Sequence, residues 1–234
     1  MVSRTRLLAA ATLAALLPVA STQAAVIQVY NQNNPIDGTD LPSGGWGSYL
    51  GFSVRFDDPA LTTTGPLSGT LLLSELTVRH PGSNGAVPGG LPGTDTAVYL
   101  KVYTTQNATP ESWVGDSIDP VNMSWGGDER NVTFTFNNLL ISPDTTYYFY
   151  FSNAAGDPTD PGFTEAWASG RLRVSNNANV TYSSGGLHDP NTATRFNARD
   201  VAYDPVFVAT FVPEPASLAL MGLGSLLMLR RRRA

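Results

Sequence analysis

Cysteine is absent from all 234 residues, which excludes a disulfide-stapled scaffold and any thiolate metal site. Lysine occurs once, at Lys101, and no phosphate-cradling loop precedes it. The two histidines, His80 and His188, each stand beside turn residues, where a surface-loop role is expected ahead of a metal or acid–base one. No serine lies in a Gly-x-Ser-x-Gly elbow, so the usual hydrolase nucleophile is missing. Long apolar runs are lacking too. The two greasy stretches, Leu7–Val19 and Ala216–Leu229, hold 13 and 14 residues. A resident transmembrane helix requires roughly 20. Between them no segment keeps a helical period for three turns, because glycine and proline interrupt it.

What is present at the N-terminal end reads as a secretory signal, residues 1–24. Arg4 and Arg6 supply the positive start, Leu7–Val19 the apolar stretch, and small residues lead to a cut after Ala24 or, as the alternative, after Ala25. The expected partners of this stretch are the Sec translocon and signal peptidase. The body is then residues 25–212, long enough to bury about 70% of its unfolded surface without staples. It carries 8 basic and 18 acidic residues, a net charge of −10. Phosphate backbones and anionic head groups repel such a surface, so nucleic-acid binding is not expected.

Along the body, apolar residues alternate with a period of two, the signature of strands with one buried face. Leu50, Phe52, Val54 and Phe56 point one way in "YLGFSVRF". Val98, Leu100 and Val102 oppose Tyr99, Lys101 and Tyr103 in "AVYLKVY", and Val132, Phe134 and Phe136 oppose Thr133 and Thr135 in "NVTFTFNN". In "TYYFYFSN", Tyr147, Phe149 and Phe151 oppose Tyr148 and Tyr150. "VIQVY", "GTLLLSELTVRH", "RLRVS", "NVTYS" and "PVFVATFV" are further strand candidates. Turn-forming clusters such as "NAAGDPTDPG" separate them. Eight to ten short strands predict an all-β domain, an antiparallel β-sandwich of jelly-roll type, flanked by the signal helix and a short C-terminal hydrophobic helix.

Residues 213–234 pose a different problem. In "VPEP", each proline lacks an amide hydrogen and biases its predecessor away from helical angles, so Pro213, Glu214 and Pro215 are expected to stay extended. The 14 uncharged residues that follow reach about 21 Å as a helix, and Arg230, Arg231, Arg232 and Arg233 close them. Arginines beside an apolar run stay on the cytoplasmic side, which leaves the body outside, the orientation the signal also demands.

This order resembles the PEP-CTERM sorting signal of exported bacterial proteins. The resemblance implies an exosortase that recognises Pro213, Glu214 and Pro215 and cuts the tail after transient inner-membrane anchoring. It further implies a destination at the cell surface or in the extracellular matrix, beside exopolysaccharide. The body is similar, over "VTFTFNNLLISPDTTYYFYFSN", to a strand-turn-strand in jelly-roll ectodomains carried by such tails.

Candidate sites in the body are sparse. Acidic loops could hold calcium through oxygen ligands, with Asp37, Asp40, Asp157 and Asp160 as candidates. Ordinary turn chemistry explains the same aspartates. No other cofactor is expected. Trp46, Trp113, Trp125 and Trp167 fall in or near loops, where flat rings could stack on sugars or pack into the core. A glycoside hydrolase needs only two carboxylates, yet spacing along the chain picks no pair out of Glu75, Glu111, Glu129 and Glu165. The expectation is a non-enzymatic exported protein, the alternatives being a carbohydrate-binding module and a secreted glycan-active enzyme.

Overall fold

A computed structural model describes residues 26–31, 46–80, 97–123, 130–168, 170–175, 186–188, 198–200 and 204–213. These form strands β1 (Ile27–Asn31), β2 (Trp46–Tyr49), β3 (Gly51–Arg55), β4 (Leu61–Thr63), β5 (Leu71–His80), β6 (Ala97–Tyr103), β7 (Trp113–Asp116) and β8 (Val121–Asn122). They continue with β9 (Arg130–Ile141), β10 (Thr146–Ser152), β11 (Gly170–Ser175), β12 (Gly186–His188), β13 (Ala198–Asp200), β14 (Asp204–Pro205) and β15 (Phe207–Pro213). One 3-10 turn, Pro110–Ser112, is the only helical element among the described residues. Both expected flanking helices, and the strand candidate "NVTYS", lie outside them.

Two antiparallel sheets make a sandwich. One runs β4-β1-β15-β5-β9, the other β13-β12-β3-β10-β6-β7, with β8 also paired to β6. A smaller sheet, β14-β11-β2, accompanies them. The alternating residues named from sequence face each other across the gap. Phe56 meets Phe211 edge-on at 5.0 Å and Phe207 at 6.5 Å, while Phe134 packs on Phe151 at 6.0 Å. Aromatic pairs in such geometries add to the area they bury, and these rings bind one sheet to the other.

Strict alternation breaks in several strands, as in β9 between Phe136 and Leu139, where Asn138 has φ 51°, and two other breaks have a clear local reason. In β5, Leu71 and Leu73 face inward, and so do Leu76, Val78 and His80. A bulge between Leu73 and Glu75 resets the parity and keeps Glu75 out of the core. The second break is at Leu50. It does not join Phe52 in the main core but packs with Tyr103 and Tyr150 on the outer side of the larger sheet. There the chain bends out of β2, which pairs with β11, into β3, which pairs with β10. Gly51 follows the bend because nothing larger fits. A methyl group at that position would overlap the Phe149 carbonyl oxygen and stand 2.7 Å from Tyr150 Cδ1.

The strand count exceeds the sequence expectation because β2, β4, β7, β8 and β12 to β14 span two to four residues each. Runs that short complete no readable period.

Candidate functional site

Both faces of β6 are buried from Leu100 onward, although only one is apolar. Val98, Leu100 and Val102 enter the core, and Lys101 and Tyr103 on the opposite face are also fully buried. Their cover is the segment after β10, residues 153–168. It doubles back along its own strand through Asn153 N to Ala166 O (2.7 Å) and Ala168 N to Phe151 O (2.9 Å). Two turns shape it. Gly156 (φ 125°) and Gly162 (φ 94°) occupy conformations that a side chain disfavours.

Beneath this cover the single lysine finds a complete set of partners. Lys101 Nζ donates to Gly156 O at 2.8 Å and to Asp116 Oδ2 at 3.4 Å, and it lies 3.5 Å from Glu165 Oε2. It also sits 4.4 Å from the centre of the Phe163 ring, a favourable cation–π position. Asp116 stands opposite Lys101 in the β6–β7 register. Its carboxylate accepts from Trp113 Nε1 and from Gly156 N, both at 2.7 Å. Glu165 accepts from the Tyr103 hydroxyl at 3.3 Å and from the Ser152 hydroxyl. Burial, and then the Glu165 charge, push the Tyr103 phenol well above its ordinary range. Both carboxylates are therefore spent on holding the cover to the sheet.

Beside this clamp lies a run of aromatic rings. Tyr103 and Tyr150, both fully buried, form the floor with their centroids 6.1 Å apart. The Tyr150 hydroxyl donates to Gln106 O at 2.7 Å, and burial holds its proton on well above the usual phenol range. Trp167 stands 6.0 Å from Tyr103 and 5.7 Å from Tyr150, and Tyr148 stacks on Tyr150 at 6.5 Å. Trp113 pairs with Tyr103 in register and packs on the same floor. Trp113, Trp167 and Tyr148 are each half-buried, so one face carries three partly open rings over two closed ones.

The sequence candidates divide accordingly. Trp113 and Trp167 converge on this face, Trp46 is placed only as a residue of β2, and Trp125 lies outside the described residues. Asp157 closes a turn, its Oδ1 accepting Thr159 N at 2.8 Å and Thr159 Oγ1 at 2.7 Å; these bonds lower its pKa. Asp160 is exposed and lies in the turn that follows, while Asp37 and Asp40 lie outside the described residues. Among the described residues no three acidic, histidine or cysteine side chains gather as metal ligands. Neither histidine is a surface-loop residue. His80 ends β5 and His188 ends β12, both buried, the latter 5.2 Å from the Tyr150 ring. The sequence reading missed Lys101, Asp116 and Glu165 as a group, although the solitary lysine was the available signal.

The expected processing positions fall at the edge of what is described. Ala24, Ala25, Glu214, Pro215 and Arg230 to Arg233 lie outside it. Pro213 is the last residue of β15, paired with Leu71, so the ordered sheet runs into the first residue of the "PEP" triplet. Among the described residues no helix is long and apolar enough to cross a membrane. No curated protein and no solved structure matches the chain. Residues 211–233 match the family model of the PEP-CTERM protein-sorting motif, and the chain thus carries the C-terminal sorting signal of an exported protein, one that implies an exosortase as its partner.

Proposed function

We propose that this is a non-enzymatic surface or matrix protein: a β-sandwich exported through the inner membrane, held there briefly by its tail, and freed by exosortase cleavage within Pro213–Pro215. The observation that carries this reading is the sorting motif, whose first residues, 211–213, are the last of β15. A cut at Pro213 or beyond removes no described strand residue upstream of it, so the sandwich leaves intact. The clamp on Lys101 also fits a structural role, because its carboxylates are engaged with partners in the fold. Mass spectrometry of both ends of protein recovered from cells tests the reading. The expected start is Ala25 or Val26, and the expected end lies at Pro213 to Pro215. Protein intact through Ala234 in cells with a working exosortase would contradict it.

The aromatic face favours a second, compatible reading, a carbohydrate-binding module for exopolysaccharide. Sugar rings present apolar faces that suit Trp113, Trp167 and Tyr148. Retention of the trimmed body on the producer's own polysaccharide is expected to fall at least tenfold in Trp167→Ala. Unchanged retention in a folded variant would remove this reading.

A further inference from the structure

The outer face of the five-stranded sheet is polar along most of its length. Thr77 and Thr133 pair across strands at 2.8 Å, Arg79 reaches Asn131 at 2.9 Å, and Gln28 stands opposite Thr210. At one end the character changes. Val212 pairs with Leu72, and Leu72 pairs with Leu140, while Val26 directly precedes Ile27, the partner of Phe211. The neighbours Ile27, Leu71, Leu73, Phe211 and Ile141 all point into the core, so Val26, Val212, Leu72 and Leu140 share the outer face. They form an apolar row from the residue that leads into β1 across β15, β5 and β9. Val26 is 54% and Leu140 55% exposed, two of the three large apolar side chains so exposed among the described residues.

The position of the row says what covers it. Both membrane-addressed ends of the chain leave the sheet here, because β1 starts and β15 finishes at the same end of the sheet. From Val212 to Ala216, where the uncharged run begins, there are four Cα steps, a reach of at most about 14 Å. While the tail stays in the bilayer, the row cannot leave the neighbourhood of the lipid surface.

We propose that the row seats the sandwich on the interfacial layer of the bilayer before the tail is cut. Four side chains are too few to hold a free protein on lipid. Tethering turns the contact into an intramolecular one at high effective concentration, which a small patch can exploit. Seating fixes the "PEP" triplet at membrane height, and cleavage removes the tether and lets the row go. The inference rests on the tail being membrane-inserted before processing, the reading given above.

The absence of cysteine allows a clean test. Chain 25–234 is prepared as Leu140→Cys or Thr133→Cys, each carrying one polarity-sensitive dye. Both are reconstituted into phosphatidylcholine vesicles, whose neutral surface removes repulsion of the acidic body. The dye at 140 is expected to be quenched several-fold more by lipid-borne quenchers than the dye at 133, and to lose that difference when the chain ends at Pro213. Equal quenching in chains that float with the vesicles overturns the seating alone. Chains that fail to float overturn the tether and the seating together. Protection of position 140 that rises with protein concentration without lipid, or that needs added exosortase, assigns the row to a protein partner and also overturns it.

Discussion

A chain ending at Val206 is expected not to fold, whereas one ending at Pro213 is expected to unfold at the same urea concentration as the chain that keeps residues 214–234. The difference is β15 alone. It lies between β1 and β5 in the five-stranded sheet and contributes Phe207, Ala209 and Phe211, all fully buried. Truncating one buried phenylalanine to alanine typically costs about 3–5 kcal/mol, and a domain of this kind has only about 5–15 kcal/mol in total. Losing two such rings, the strand hydrogen bonds and the Phe56 contacts exceeds that reserve. Circular dichroism of the two truncations under urea checks the expectation. A cooperative transition in the shorter chain would show that the sheet closes without its middle strand. The same arrangement bears on sorting. The last strand of the sandwich is an inner one, so the five-stranded sheet closes only after the residues next to the sorting motif have been delivered.

Lys101→Met is expected to destabilise the ectodomain by about 3 kcal/mol, the lower end of the cost of breaking a buried ion pair. The lysine is wholly inaccessible, but the Asp116 and Glu165 side chains keep 10% and 18% exposure, so water still screens part of their charge. Without the ammonium, two carboxylates face each other under a cover that excludes most of the solvent, and the segment 153–168 loses its anchor at Gly156 O. Limited proteolysis is expected to cut within 153–168 before global unfolding. The triple change Lys101→Met, Asp116→Asn and Glu165→Gln is expected to recover most of the loss, because it removes the charges together. Urea midpoints of the single and triple variants decide the point. A single variant as stable as the parent would mean that the clamp contributes nothing.

The period-of-two pattern alone determined which residues of β3, β6, β10 and the first half of β9, through Phe136, face the core, because alternation follows from the pleat of each strand. Composition and run length likewise determined the tail: prolines, a short uncharged run and arginines are legible without a fold, since length and charge set how a segment meets a bilayer. Local pattern could not tell that the polar face of β6 would be covered as well. Lys101 and Tyr103 read as ordinary outward residues until the segment 153–168 folds over them, and their carboxylate partners come from Asp116 in β7 and from Glu165 in that cover. The gathering of Trp113 and Trp167 on one floor depends on the same long-range pairing. So does the apolar row, which exists only because β1, β15, β5 and β9 are neighbours. Strand alternation is a property of a few consecutive residues, whereas strand order and cover are set by contacts between distant ones, and only the tertiary structure decides those.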